Sequence, residues 1–209
     1  MEKSPDMKRA VQAIRILAIS GSLRSASANT AVLRAAVALA PEDVAIALFD
    51  GLAELPHFNP DLDGDGTPPS VADFRRQLAA ADGILISSPE YAHGVPGVLK
   101  NALDWLVRSG EFVDKPVALI SASPRATWAM GSLTETLTVM SAKLIADASI
   151  ALPLTTNRID EAGLAANPEI SLLLRSALAA FVEAVRHEQR AGQNFIAAEP
   201  RSNIQPTTA

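Results

Sequence analysis

The sequence predicts a doubly wound α/β fold: a five-stranded parallel sheet with helices on both faces. Three observations predict it. Apolar runs alternate with stretches of helical period five times along the chain, which is the pattern of successive strand–helix units. The runs are continuous in apolar character, as strands buried on both faces must be. The chain has 209 residues, 48% of them hydrophobic and none of them cysteine, so it can bury one full core without disulfides.

The elements follow in order. Ile14 to Ile19 reads as the first strand, closed by Ser20 and Gly21. The segment from about Ala28 to Ala40 is helical and stops near Pro41. Val44 to Phe49 is the second strand, followed by a long Pro/Gly/Asp segment up to Pro69. Val71, Phe74, Leu78 and Ala81 mark one face of the second helix. Gly83 to Ser87 is the third strand, and Val95, Leu99, Ala102, Leu103 and Leu106 stripe the helix after it. Val117 to Ser121 is the fourth strand, with Leu133, Leu137, Met140 and Leu144 striping the next helix. A fifth strand is expected around Asp147 to Leu152. The last helix carries Ile170, Leu173, Leu174, Ala177, Leu178, Phe181, Val182 and Val185 at helical spacing. One domain over residues 14–192 is expected, with an extension at 1–13 and a tail at 193–209 that lacks periodicity. No internal repeat is found.

Composition excludes several classes. The net charge is −5 and the basic residues do not cluster, which argues against a nucleic-acid footprint. Without cysteine there is no disulfide, thiolate metal site or cysteine nucleophile. The apolar run after Arg15 is too short for a secretory segment, and no stretch reaches the roughly 18 apolar residues of a membrane span. A cytoplasmic protein with no membrane partner is expected. His57, His93 and His187 give no metal-ligand spacing. The run Asp61 to Gly66, DLDGDG, imitates the start of a calcium loop, but Ala72 stands where the closing carboxylate belongs. It is expected to be a solvated turn, and no metal is expected. Ser20-Gly-Ser22 lacks the nucleophile-elbow pattern.

In doubly wound sheets ligands bind beyond the carboxyl ends of the strands, where the strand order reverses. The loops after strands one, three and four are SGSLRSASANT, SSPEYAHGVPG and SASPRATWAMG. All three are rich in uncharged polar residues. In the first, the N–H groups at a helix amino terminus favour an anion. Ser22, Ser27, Asn29 and Thr30 can add donors there, and Arg24 supplies a charged fork. Ser27 or Asn29 equally fits a helix cap. Neither the dinucleotide G-x-G-x-x-G nor the triphosphate G-x-x-x-x-G-K-[ST] is present, so a single terminal phosphate is the better match. In the second loop His93 has the chemistry of an acid or base, and Tyr91, the only tyrosine, can lie along a flat ring or pack at a core edge. Trp105 is expected in core or subunit packing.

GSLRSASANT and SPEYAHGVPGVLKNALDWL together resemble the NADPH-dependent FMN reductase family, whose relatives include quinone, chromate and azo-dye reductases. The first matches the family's G-S-L-R-x-x-S-x-N phosphate loop. The second matches its P-E-Y-…-P-G-x-L-K-N-A-x-D-W segment. The likeness spans roughly residues 14–150. It implies a flavodoxin-like fold with strand order 2-1-3-4-5 and bound FMN. Ser22, Arg24, Ser27, Asn29 and Thr30 would hold the phosphate. Pro89, Glu90, Tyr91, Ala92, His93 and Gly94 would lie along the ring and its ribityl side, and Ser121 and Ser123 would close a third side. Two departures stand out. Ala92 replaces an asparagine common in the family, and Ser123-Pro-Arg-Ala-Thr127 replaces a loop that is often glycine-rich. Arg125 is a candidate contact for the phosphate of NADPH or for an anionic acceptor.

The resemblance further implies hydride transfer from NADPH (or NADH) to flavin N5, then electron transfer to a quinone, free flavin or similar small acceptor. No catalytic side chain is required, because the flavin carries the chemistry. A homodimer or homotetramer is implied as well. The alternatives are a non-enzymatic flavodoxin-like FMN-binding or electron-carrier protein, and a binding protein for another phosphorylated ligand.

Overall fold

A computed structural model describes residues 13–198 apart from 155, 157 and 158, with only the backbone described for 193–198. The extension expected at residues 1–13 therefore lies almost wholly outside the described residues, and so does most of the expected tail.

Four strands form the body of the sheet: β1 (Ile14–Ser20), β2 (Val44–Phe49), β3 (Gly83–Ser87) and β4 (Pro116–Ser121). Two short pieces follow, β5 (Lys143–Leu144) and β6 (Ile150–Ala151). All pairings are parallel, and the order is β2-β1-β3-β4-β5, with β6 also paired to β4. This is the flavodoxin-like order. Its switch point lies between β1 and β3, where the chain reverses its direction of progress through the sheet.

The period of two in the strands sorts side chains onto two cores. Ile14, Ile16 and Ala18 of β1, Leu85 of β3, and Ala118 and Ile120 of β4 face one side. There they meet α1 (Ala28–Leu39), α5 (Glu161–Ala166) and α6 (Pro168–Ala198). Leu17 and Ile19, Ile84 and Ile86, and Val117 and Leu119 face the other side. They meet α2 (Pro69–Ala80), α3 (Gly97–Asp104) and α4 (Thr127–Val139). β3 and β4 are buried at every position, whereas β2 alternates because it is an edge. Close packing reaches the backbone at Gly83, where an added Cβ would stand 2.9 Å from Phe181 and Val185 of α6.

Side-chain caps explain three of the six α-helix starts. The Ser27 hydroxyl accepts from the Thr30 N–H at α1, Asp160 accepts from the Gly163 N–H at α5, and the Asn167 amide oxygen accepts from Glu169 and Ile170 at α6. For α4, the capping position Ala126 has no side chain to offer.

The structure departs from the sequence reading in five places. The fifth strand is not one run over 147–152 but two pieces separated by a 3₁₀ turn at Ala146–Ala148. Leu144 belongs to β5, not to the stripe of α4. That helix ends at Val139, and Ser141 then adopts φ 62°, with the Leu137 carbonyl accepting from the Ala142 N–H at 3.0 Å. α5 was not foreseen, since six residues are too few to show a period. The DLDGDG run is only partly a solvated turn. Its Asp63 carboxylate is buried and pairs with Arg75 at 2.8 Å, and Arg75 also donates to the Trp105 carbonyl. α6 itself continues past Gly192 to Ala198, beyond its apolar stripe.

Trp105 is fully buried within the chain's own core. Its Nε1–H donates to the Pro56 carbonyl at 2.8 Å, and the Asn101 amide donates to the same carbonyl at 3.0 Å. Asn101 Oδ1 in turn accepts from the Phe58 N–H at 2.8 Å. The K-N-A-x-D-W segment thus pins the loop after β2.

Candidate functional site

Serines end three neighbouring strands: Ser20 on β1, Ser87 on β3 and Ser121 on β4. Their loops converge on a cavity of about 570 Å³ at the carboxyl edge of the sheet. Its lining includes Asn29 from α1, Ser88, Pro89 and Glu90 after β3, Ser121, Ser123, Arg125 and Ala126 after β4, and Leu154 and Thr156.

The first loop is held by its own hydroxyls. Ser20 and Thr30 share a hydrogen bond at 2.8 Å. The Ser20 hydroxyl accepts from the Ser22 N–H at 3.3 Å, and the Ser22 hydroxyl accepts from the Arg24 N–H at 3.3 Å. The Asn29 amide oxygen accepts from the Ser87 hydroxyl at 3.0 Å and is buried with it, joining α1 to the end of β3. Gly21 is required here. Its N–H donates to the Ser87 carbonyl at 2.8 Å, and an added Cβ would stand 2.7 Å from the Ser88 hydroxyl.

The third loop repeats this arrangement. The Ser121 hydroxyl accepts from the Ser123 N–H at 3.2 Å, and the Ser123 hydroxyl accepts from the Arg125 N–H at 3.3 Å. Ser20-Gly-Ser22-Leu-Arg24 and Ser121-Ala-Ser123-Pro-Arg125 are therefore one S-x-S-x-R device used at two strand ends. The sequence carries no long repeat, but this five-residue match was readable in it. No carboxylate among the described residues pairs with Arg24, Arg34 or Arg125.

The middle loop is a tight hairpin. Tyr91 N–H donates to the Gly94 carbonyl at 3.1 Å and Gly94 N–H to the Tyr91 carbonyl at 2.9 Å. Ala92 and His93 between them take φ 50° and 59°, the two left-handed residues of a type I′ turn. This recasts the Ala92 departure: asparagine tolerates positive φ and alanine does not, so the position is demanding for its backbone. The Glu90 carboxylate accepts from the Ala129 N–H at 2.9 Å, which supplies from another loop the cap that α4 lacks. His93 stacks on Trp128 with centroids 5.5 Å apart and planes inclined by 23°.

The predicted residues fall into three groups. Asn29, Pro89, Glu90, Ser121, Ser123 and Arg125 line the main cavity. Ser22, Arg24 and Thr30 line a second cavity of about 710 Å³, together with Arg34. Ser27 lines a smaller one beside it. Tyr91, Ala92, His93 and Gly94 form the hairpin next to Glu90, and the Tyr91 ring is more than half exposed, so it is not a core-edge tyrosine. Ser88, Leu154 and Thr156 line the main cavity without having been foreseen. The last two lie beyond the matched motifs, where no pattern marks them.

The family model for NADPH-dependent FMN reductase matches residues 14–157. An NAD(P)H-dependent FMN reductase of Pseudomonas aeruginosa is 46% identical over 112 residues, which are 53% of this chain and 60% of that protein. An NADPH:quinone oxidoreductase of Arabidopsis thaliana is 48% identical over 113 residues, 52% of this chain and 57% of its own. The match thus spans less than two thirds of the length of these relatives. Among solved structures, a flavoenzyme NAD(P)H:(acceptor) oxidoreductase from Paracoccus denitrificans superposes with a TM-score of 0.67 at 26% identity. That likeness covers 83% of this chain and 98% of the other. The matched span runs from the first residue of β1 across all three converging loops, and the chain belongs to the NADPH-dependent FMN reductase family.

Proposed function

We propose that the protein is an FMN-dependent NAD(P)H oxidoreductase that delivers electrons to a quinone, free flavin or similar small acceptor. The observation that carries this reading is the cavity where the loops after β1, β3 and β4 meet. Its size, about 570 Å³, is within the range of cofactor and ligand sites.

The donor set fits a flavin mononucleotide. The first N–H groups of α1 have no partner within the helix and favour an anion. The Ser20 and Thr30 hydroxyls share one hydrogen bond and the Ser20 hydroxyl also donates to the Ser22 carbonyl at 3.4 Å, so the O–H left for a ligand is that of Thr30. Ser22 accepts from Arg24 N–H and keeps its own proton for a ligand. Arg24, without a carboxylate partner among the described residues, supplies the charge. Asn29, Ser27 and Thr30 complete the phosphate end. Pro89, Glu90 and the Tyr91–Gly94 hairpin form one side of the ring site, with Ser121 and Ser123 opposite. Arg125, which lines the cavity from the third loop, would meet a phosphate of NAD(P)H or an anionic acceptor.

When bound, the flavin would supply the two-electron chemistry, accepting hydride from the nicotinamide and passing electrons onward. The chain's own residues bind, orient and shield. Rigid, hydroxyl-tied loops fix the phosphate end, and the Glu90 bond to α4 fixes the second and third loops relative to one another. No side chain needs to exchange a proton during hydride transfer, and no acid–base pair is assigned. We also infer a cytoplasmic homodimer or homotetramer, supported by the absence of cysteine and by the family; light scattering reads the assembly directly.

The deciding experiment is an absorption spectrum. Purified protein incubated with FMN is expected to turn yellow, to bleach with NADPH, and to recolour on adding a quinone. Protein that stays colourless and apo after incubation overturns the proposal.

A further inference from the structure

One member of an aromatic pair beside the main cavity, Trp128, has no part in the assignments above. Trp128 lies in the first turn of α4, two residues after Ala126, which lines the cavity. It is 64% exposed, whereas the helix buries Ala129, Leu133 and Leu137. Packing of α4 therefore does not account for a tryptophan at this position. Its ring nevertheless has a partner. It stacks on His93, and both members are anchored from behind. His93 is held at φ 59° by the bridged Tyr91–Gly94 turn. Trp128 is held by the bond from Ala129, the next residue, to the Glu90 carboxylate, which itself lines the cavity.

A near-parallel pair already stacked in the protein alone, with its indole largely exposed, suits one class of ligand. A planar, electron-poor ring stacks offset on an electron-rich indole. A compact, non-aromatic oxidant gains nothing from such a wall. Preorganisation matters because no side-chain freedom is then lost on binding.

We infer that the His93–Trp128 stack is the wall against which the ring of a quinone-class acceptor docks, and that it sets a preference for flat aromatic acceptors. The inference rests on the oxidoreductase reading for the acceptor's role, while the docking itself can be measured without turnover.

The chain has two tryptophans. Trp105 is fully buried, with its Nε1–H bonded to Pro56, so exposed-indole emission reports on Trp128. In the protein as purified, 2-methyl-1,4-naphthoquinone is expected to quench that emission saturably, with no saturable quenching in Trp128→Leu. In NADPH turnover, Trp128→Leu should raise KM for the naphthoquinone about 3- to 10-fold, the range of a lost aromatic stack. KM for ferricyanide should rise by a clearly smaller factor, and Trp128→Phe should restore most of the naphthoquinone KM. Equal effects on both acceptors, or non-saturable quenching in the wild-type protein, overturn the inference. So does blue-shifted Trp128 emission in the free protein, which would place the ring in an interface between copies. Should the wild-type protein oxidise no NAD(P)H, the oxidoreductase reading fails, and the quenching titration alone decides the docking wall.

Discussion

The carboxylate of Glu90 accepts a hydrogen bond from the backbone N–H of Ala129 at 2.9 Å, joining the loop after β3 to the first turn of α4, 39 residues away in sequence. One side chain thereby caps a helix and closes the side of a cavity. Glu90→Ala should lower stability by about 1 kcal/mol, the usual worth of an N-cap, and weaken FMN binding as α4 loosens. Glu90→Gln keeps an acceptor oxygen and should retain most of both. Urea unfolding of the apoprotein and a flavin titration measure the two effects separately.

Ala92 sits at φ 50° with a Cβ that the left-handed region penalises. Ala92→Gly relieves that strain but adds freedom to the unfolded chain. The net expectation is a gain of about 0.5 kcal/mol. Ala92→Asn should gain at least as much, and Ala92→Val should lose stability. Urea midpoints at constant m-value rank the three.

Asn29 lets fold and binding be separated. Its amide oxygen accepts from the Ser87 hydroxyl at 3.0 Å, and an aspartate could accept the same bond. Asn29→Asp should therefore keep most of the wild-type stability while placing a negative charge at the phosphate end. FMN affinity is expected to fall at least about tenfold, the scale of a lost charge-assisted contact. Fluorescence titration with FMN and with riboflavin gives the contrast, since riboflavin carries no phosphate to repel.

Lys115 contributes a pH dependence of known sign. Burial is the main cause holding its pKa below 10.5, against the pull of Asp82. Its ammonium donates to the Ala81 carbonyl at the end of α2 at 2.6 Å. In the window just below 10.5 the unfolded chain binds more protons at this group than the folded one does. Its contribution to stability therefore rises with pH there. Lys143 acts in the opposite sense: its hydrogen bond to Glu188 raises its pKa, and that support is lost as pH rises above 10.5. Lys115→Met should remove the first slope and leave the second. Urea midpoints from pH 8.5 to about 11 test the signs.

Much of the fold was legible because parallel strands buried on both faces announce themselves. Gly83–Ser87 coincides with an apolar run, and Pro116–Ser121 does so within one residue. The edge beyond β4 was not legible. Lys143–Leu144 and Ile150–Ala151 are each two residues long, and a pair of residues has no period. Leu144 fits a helical stripe as well as a strand, and the φ of 62° at Ser141 that decides between them is not written in any side-chain pattern. The three site loops were found by their position at strand ends, a topological argument that needs no side-chain geometry. The bonds of Glu90 to α4 and of Asn29 to β3 were invisible, because they link segments tens of residues apart through single polar atoms. Asp63 was misjudged for the same reason: its partner Arg75 lies on a separate element.

The broken strand after β4 also bears on self-association. An unbroken outer strand would present a continuous row of unpaired backbone groups, a template on which another chain could add. Here the row lasts two residues, stops at the 3₁₀ turn of Ala146–Ala148, and resumes for two more. An incoming strand could find no register longer than two residues before the ladder fails. The interruption that hid this element from the sequence also protects this edge of the sheet from aggregation.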